Sequence, residues 1–146
     1  MSNFQNPIIR LAHVSDASEL KNLNDMFNDN DDTTLDELET SLLENNHEIV
    51  VCAEIEKIIV GVCCIQIMRT MCFNWQYAYV TELFVQEEYR SRGIGTLLMN
   101  FAEHELLKKG IKKIFLLVGR PNIRAQKLYQ SLGFIEMTEK MYMKEN

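Results

Sequence analysis

The stretch Tyr79–Leu107, YVTELFVQEEYRSRGIGTLLMNFAEHELL, decides the fold of this chain. Its first part, Tyr79–Val85, is rich in β-branched and aromatic side chains and predicts a strand. The loop Arg90–Gly95 then leads into a helix. The apolar residues of this helix recur at spacings of three and four, at Ile94, Leu97, Leu98, Phe101, Ala102 and Leu106. That spacing places one apolar face of the helix against a sheet.

A glycine loop between a strand and a helix N-terminus is suited to binding an anion. The first backbone N–H groups of a helix have no partner, and the helix dipole adds about half a positive charge there. Gly93 and Gly95 let the backbone approach phosphate oxygens closely, and Arg90 and Arg92 add charge. The loop is neither a dinucleotide fingerprint, because Leu98 replaces the third glycine, nor a Walker loop. By itself it fits a phosphate site or an ordinary tight turn.

Length and composition indicate one globular domain. The chain has 146 residues, of which 47% are hydrophobic and 25% charged, enough for one substantial core. No apolar run approaches the ~20 residues of a membrane span, and the N-terminus does not resemble a signal peptide. We therefore expect a cytoplasmic protein with no membrane partner.

The net charge of −6 is unevenly distributed. Residues 16–48 contain eleven acidic side chains and one basic residue, Lys21, so their net charge is −10. The rest of the chain, which includes the glycine loop, has a net charge of +4. This polarity disfavours nucleic acid as a partner. It suits an anionic ligand at one end of the molecule and a cationic one at the other.

Four cysteines, Cys52, Cys63, Cys64 and Cys72, form no C-x-x-C pair, and no histidine lies at metal-ligand spacing from them. We therefore predict no metal site. Reduced thiols packed as small hydrophobic groups are the favoured interpretation, with a catalytic cysteine as the minor alternative.

The remaining elements complete an α/β domain spanning residues 1–146. Strands are predicted at Ile8–Ala12, Glu48–Glu54, Ile58–Met68, Tyr79–Val85, Ile114–Val118, Phe134–Met137 and Met141–Met143. Two acidic helices follow the first strand, and another spans Ile123–Leu132. Gly61 indicates a bulge or a close backbone contact. The order predicts a mixed sheet of six to seven strands flanked by about four helices.

A second motif, NIRAQKLYQSLGF at Asn122–Phe134, follows the Ile114–Val118 strand. Together with the glycine loop it resembles the GCN5-related N-acetyltransferases, the GNAT family. The family's loop pattern, [Q/R]-x-x-G-x-[G/A], is matched by Arg90, Gly93 and Gly95. Its later signature, N-x-x-A-x-x-L-Y-x-x-x-G-F, is matched at Asn122, Ala125, Leu128, Tyr129, Gly133 and Phe134.

The resemblance implies the GNAT acyl-CoA N-acyltransferase fold and transfer of an acetyl group from acetyl-CoA to a primary amine by direct attack. The residues implied at the pyrophosphate are Arg90, Ser91, Arg92, Gly93, Ile94, Gly95 and Thr96. The pantetheine arm would pair like an added strand with the backbone near Phe84 and Val85, and Asn122 would also face the cofactor. The resemblance allows a homodimer as well.

Two residues match the family's proton-transfer positions. Tyr129 fits the general acid that protonates the departing thiolate, because a phenol with a pKa near 10 keeps its proton at neutral pH. The alternative for Tyr129 is a core tyrosine on an apolar stripe. Glu82 is the best candidate general base, directly or through water, and alternation places it on one face with Val80 and Phe84. The alternative for Glu82 is a structural or substrate-anchoring carboxylate.

The acceptor pocket implied by the resemblance involves the acidic loop at residues 28–33 and the aromatic residues Phe73, Trp75 and Tyr77. Carboxylates and rings suit a cationic amine that is polyamine-like, aminoglycoside-like or a peptide amine. Alternatively, the acidic run is only a solvated surface. A second functional class, a noncatalytic acetyl-CoA-binding regulatory module, also stays open, although the presence of Tyr129 and Glu82 argues against it.

Overall fold

The computed structural model describes residues 5–28 and 32–146. Its strands are β1 (Ile8–Leu11), β2 (Glu48–Ile55), β3 (Ile58–Arg69), β4 (Gln76–Val85) and β5 (Ile114–Leu116). Its α-helices are α1 (Ala17–Phe27), α2 (Leu35–Glu44), α3 (Ile94–Lys108) and α4 (Ile123–Ser131). The four predicted helices are thus confirmed for the described part of the chain.

The five described strands form one mixed sheet in the order β1-β2-β3-β4-β5. The first four are antiparallel neighbours, and β5 joins β4 in parallel after the chain crosses over through α3. One face of the sheet packs against α1 through Leu20 and Leu23. The opposite face packs against α3 through Leu98 and Met99. The predicted apolar face of α3 is therefore confirmed, except that Leu97 is 43% exposed and Met99 is buried instead.

A β-bulge in β4 positions the functional residues. Cys64 of β3 lies opposite Glu82, but the next residue, Ile65, lies opposite Val80, so Thr81 is an extra residue in β4. Val80 consequently packs in the α3-side core, whereas Phe84 packs on the α1 side. The prediction that Val80 shares a face with Glu82 was wrong because the bulge interrupts simple alternation.

The same bulge ends the pairing between β4 and β5. Only Ala78, Tyr79 and Val80 have partners in β5. Beyond the bulge, residues 82–85 pair with β3 on one side and leave the other edge of β4 without a strand partner. The Gln86 N–H donates to the Val60 carbonyl. Antiparallel alternation then turns the backbone groups of Leu83 and Val85 towards the open edge.

Gly61 lies where two elements approach closely. A β-carbon at this position would be 3.1 Å from the Phe84 carbonyl oxygen and 3.2 Å from Leu98 Cδ1. The β2–β3 register also shifts beside it, between Ala53 and Glu54. The close backbone contact predicted from the sequence is confirmed.

The sheet has five strands in the described chain, not the six to seven predicted. The segments Phe134–Met137 and Met141–Met143 lie outside it and adopt no regular structure. Phe134 packs its ring edge-on against Tyr129, but Ile135 and Met143 are 82% and 84% exposed. Such short segments bury too little apolar surface here to offset the entropy of ordering a strand.

Helices α1 and α2 are each anchored to the sheet by a polar contact. The Glu19 carboxylate of α1 accepts a hydrogen bond of 2.5 Å from the Ile59 N–H of β3. Ser41 Oγ of α2 donates to Glu48 Oε1 of β2 at 3.2 Å. The first contact joins residues 40 positions apart in the chain and the second joins residues seven apart, and both fix the helices above the face that carries Glu82.

Asp16→Asn is expected to lower the free energy of unfolding by about 1–3 kcal/mol. Arg10 donates to both Asp16 oxygens, at 2.7 and 2.9 Å, and also to Glu54. The hydrogen bond from Arg10 lowers the pKa of Asp16. The carboxylate therefore stabilises the fold above its ordinary pKa near 3.9, and this contribution is lost as the pH falls through the folded-state value.

Urea denaturation at several pH values measures this effect. Asp25→Asn is the matched control, because Asp25 pairs with Lys21 on the surface of one helix and should contribute less than about 0.5 kcal/mol. An equal loss for both variants at neutral pH would contradict the assigned role of the Arg10 network.

Candidate active site

The glycine loop is held in shape by its own arginines. Arg90 Nε donates to the Val85 carbonyl at 2.8 Å, and Arg92 Nη2 donates to the Glu88 carbonyl at 2.9 Å. Ser91 and Gly93 have φ angles of +63° and +78°, so the chain turns sharply twice before α3 begins. Both guanidinium groups remain at the exposed surface of the loop.

The loop receives a third arginine from α4. Arg124 Nη2 donates to Ser91 Oγ at 3.0 Å. Arg124 was not predicted as a site residue because it occupies a position that the later motif leaves unspecified. Only the folding of α4 against the loop reveals that three arginines surround the beginning of α3.

The N-terminus of α3 lies at the same end of the sheet as the open edge of β4. Gly93 is its N-cap, and the first intrahelical bond runs from the Leu97 N–H to the Gly93 carbonyl. The backbone N–H groups of Ile94, Gly95 and Thr96 precede this bond and are therefore available to an anion. A β-carbon at Gly95 would lie 3.2 Å from Leu128 Cδ2, so this glycine also permits close packing of α3 on α4.

Asn122 and Tyr129 lie at opposite ends of α4. The Asn122 side-chain oxygen accepts a hydrogen bond of 3.2 Å from the Ala125 N–H and caps the helix. The Tyr129 ring packs on the α3-side core, with its centroid 5.7 Å from that of Phe134. Burial raises the pKa of Tyr129 to about 12. Its hydroxyl therefore remains a neutral proton donor at physiological pH.

A cavity of about 210 Å³ lies between the sheet and helices α1 and α2. Its walls are mainly apolar, and its polar side chains include the carboxylates of Glu37, Glu48 and Glu82. Glu82 and Glu48 are half-buried, whereas Glu37 is exposed at the rim. Glu82 thus faces the α1–α2 side and Tyr129 packs on the α3 side, and the pairing of β4 with β5 ends after Val80.

The three aromatic residues predicted for the acceptor pocket lie outside the cavity. Phe73, Trp75 and Tyr77 form a row of ring contacts that ends edge-on against Phe115 of β5. Lys113 Nζ already lies 4.8 Å from the Trp75 ring centroid. None of these rings is among the described residues that line the cavity.

Only part of the predicted acidic loop can be placed. Asp29 and Asp31 lie outside the described residues, and Asp32 is exposed. Asn28 and Thr33, at the two ends of that loop, do line the cavity. The loop therefore begins and ends at the cavity mouth.

Three of the four cysteines have the properties of packed thiols, whereas the prediction was wrong for Cys72, which is exposed. Cys52 and Cys63 are buried, and burial raises the pKa of each to about 12. Burial, followed by the charge of Glu48, raises the pKa of Cys64 well above its ordinary value. A thiol that resists ionisation is a poor nucleophile, so the catalytic-cysteine alternative has no support here.

Thiol labelling checks this assignment. At pH 8 we expect one of the four thiols, the exposed Cys72, to react rapidly with DTNB in the folded protein. Cys72→Ser should abolish the rapid phase and leave the melting temperature unchanged. A rapid phase that persists in Cys72→Ser would show an accessible thiolate among the others.

The described residues contain neither a candidate metal-binding cluster nor a helix that could span a membrane. In residues 5–28 and 32–146, no group of three or more His, Cys, Asp or Glu side chains is arranged to hold a metal ion. Within the same part of the chain, every helix is too short or too polar to cross a membrane.

Comparison with known proteins gives one consistent family. The family model described as acetyltransferase (GNAT) family matches residues 17–134. An uncharacterized N-acetyltransferase of Methanocaldococcus jannaschii is 41% identical over 61 residues, covering 42% of this chain and 27% of the relative. A thialysine N-epsilon-acetyltransferase of Bos taurus is 36% identical over 61 residues, covering 42% of this chain and 36% of that protein. The matches thus span about a third of the length of these two relatives.

The fold has well-matched neighbours among solved structures. That of AAC(6')-Iy, in complex with the bisubstrate analog CoA-S-monomethyl-acetylneamine, has a TM-score of 0.84 at 17% identity. The alignment covers 97% of this chain and 99% of that one. At this identity the likeness establishes the fold and leaves the substrate open.

Proposed function

The chain belongs to the acetyltransferase (GNAT) family, and we propose that it transfers the acetyl group of acetyl-CoA to a primary amine. The observation that carries the proposal is the bulge at Thr81, which opens one edge of β4 beside the glycine loop. An extended ligand with a pyrophosphate at one end needs both features side by side. A tight turn without a ligand would need neither.

The residues present fit CoA along its length. The N–H groups of residues 94–96 and the three arginines suit the pyrophosphate. The Leu83 backbone groups and the Val85 N–H on the open edge suit the amides of the pantetheine arm, in the manner of an added strand, while the Val85 carbonyl already accepts from Arg90. Acetyl-CoA supplies an activated thioester carbonyl, which would lie where β4 and β5 separate.

Two side chains near the thioester, Glu82 and Tyr129, would each carry out one of the two proton transfers that the reaction needs. A primary amine is protonated at neutral pH and must lose a proton before it attacks. Glu82 faces the cavity and would accept this proton directly or through water. Tyr129 would donate its proton to the departing sulfur, because burial keeps the phenol neutral.

The acceptor in this proposal is a cationic primary amine, polyamine-like, aminoglycoside-like or part of a peptide. The carboxylates of the cavity support a cationic substrate. We further propose a cytoplasmic protein that acts without nucleic acid or membrane partners and that can form a homodimer. A noncatalytic regulatory module would bind acetyl-CoA in the same way but would release no CoA on addition of an amine.

Saturating acetyl-CoA should raise the melting temperature by roughly 5–10 °C at about 100 times its Kd. A ligand that binds only the folded state stabilises that state by mass action. Unacylated CoA and ADP are the controls, and ADP should give the smaller shift because it lacks the arm that lies along β4. No shift with acetyl-CoA would overturn the cofactor assignment.

A further inference from the structure

The carboxylates of the cavity floor come from two strands on either side of a third. Cys64 of β3 pairs with Glu82 of β4 and with Val50 of β2. Glu48 precedes Val50 by two residues and therefore lies on the same face of the sheet. Ideal strand spacing places the Cα atoms of Glu48 and Glu82 about 12 Å apart, with Val50 and Cys64 between them.

The charges of both carboxylates influence the Cys64 thiol, which lies between them on the cavity floor. After burial, the charges of Glu48 and Glu82 are among the causes that raise the pKa of the Cys64 thiol between them. Ser41 donates to one oxygen of Glu48 and so holds it in the cavity. Among residues 5–28 and 32–146, no lysine, arginine or histidine side chain pairs with either carboxylate. Two half-buried negative charges thus remain for a ligand to neutralise.

The surface between the charges is apolar. Leu20, Leu38 and Val62 contribute to walls that are mainly apolar, although Asn24, Asn28 and Thr33 also line the cavity. Hydroxyl groups placed against the leucine and valine side chains would lose their water without gaining partners, whereas methylene groups would gain from burial there. The volume of about 210 Å³ is also below the ~300–1,000 Å³ of pockets for drug-sized ligands. A small aliphatic chain fits these walls better than a polyhydroxylated amino sugar.

We infer that the acceptor is an unbranched aliphatic diamine, with its reacting nitrogen at Glu82 and its distal ammonium paired with Glu48. This inference rests on the acetyltransferase function proposed above. The ammonium form of the reacting nitrogen first gives one proton to Glu82, which passes it to water. The neutral nitrogen then forms a bond to the acetyl carbon, and the carbon–sulfur bond breaks as the sulfur takes a proton from Tyr129. The second proton of the nitrogen is lost through water as the amide forms and restores the Tyr129 phenol. The products are the mono-N-acetylated diamine and CoA.

Steady-state kinetics with matched amines test the inference. Butane-1,4-diamine and hexane-1,6-diamine are compared with butylamine and hexylamine, and with kanamycin, at saturating acetyl-CoA. The wild-type kcat/KM for the better diamine should exceed that for its monoamine by about tenfold or more, the usual scale of one half-buried charge pair. Glu48→Gln should bring this ratio to within about twofold of one, because the distal ammonium loses its partner. Glu44→Gln, which removes an exposed carboxylate outside the cavity, should keep the wild-type ratio.

A wild-type enzyme that uses monoamines or kanamycin as well as diamines would overturn the diamine inference while leaving the acetyltransferase function intact. An unchanged ratio in Glu48→Gln would overturn the role of Glu48. Failure to release CoA with any amine would instead refute the proposed function itself, so the two failures are distinguishable. Because the wild-type comparison needs no variant, the inference is testable even if Glu48→Gln does not fold.

Discussion

Replacing Tyr129 with phenylalanine is expected to lower kcat about 10²- to 10³-fold and to leave the affinity for acetyl-CoA within about twofold. The ring packs on the α3-side core beside Phe134, and phenylalanine preserves that packing. Under the proposed mechanism, the substitution removes only the hydroxyl that would protonate the departing sulfur. Stopped-flow or steady-state detection of released CoA measures the first effect, and thermal shift with acetyl-CoA measures the second.

Tyr142→Phe is the matched control, because this tyrosine is 86% exposed and lies outside the motif. Since burial raises the pKa of Tyr129 to about 12, the wild-type kcat should show no alkaline decline from loss of this proton below about pH 10. Full turnover by Tyr129→Phe would leave Tyr129 as a core residue and would remove its assigned role.

Glu82→Gln is expected to reduce kcat/KM for an amine about 10²-fold at neutral pH. Glutamine keeps the size of the side chain but accepts no proton from the substrate. A primary alkylamine, like the lysine side chain, has a pKa near 10.4, so raising the pH supplies more of the reactive neutral amine. The deficit of the variant should therefore shrink as the pH rises from 7 to 10.

The kcat/KM of the wild type and of Glu82→Gln is measured between pH 7 and 10. Glu103→Gln, on the exposed surface of α3, is the control. A constant deficit at all pH values would assign Glu82 to substrate anchoring. That was the alternative left open by the sequence, and the pH dependence separates it from general-base catalysis.

The parts of the fold that were predictable are those encoded locally. The helix expected at Ile123–Leu132 is observed at Ile123–Ser131, because Asn122 caps it and Gly133, at φ +91°, ends it. A capping box of Thr34 and Glu37 likewise begins α2, the second of the two acidic helices expected after the first strand. Caps and glycine turns act over three or four residues, so the sequence of one segment is enough to reveal them.

The bulge at Thr81 could not be read from the sequence. It depends on how β3 and β4 are paired, and a shift of one residue changes which face every later side chain occupies. The contact between Ser41 and Glu48 and the approach of Arg124 to Ser91 depend on tertiary packing in the same way. The site thus contains locally readable motifs together with partners that only the folded chain brings close.

The two strands predicted at the end of the chain do not form, for a related reason. Phe134–Met137 and Met141–Met143 have strand-like composition, but a strand also needs a neighbouring edge and a buried face. Here β5 is only three residues long, and the apolar side chains of the last segment are largely exposed. Their composition indicates a tendency to form strands, but it does not show whether a neighbouring strand is available to pair with them.

Amine-dependent release of CoA is the most direct test of the acetyltransferase assignment. The purified protein is mixed with acetyl-CoA and a panel of primary amines at pH 8, free thiol is followed with time, and the acetylated product is identified by mass spectrometry. We predict CoA release that requires an amine, equals the acetylated amine in amount and is largely lost in Tyr129→Phe. Binding of acetyl-CoA without amine-dependent release across the panel would contradict the assignment and would favour a noncatalytic binding module.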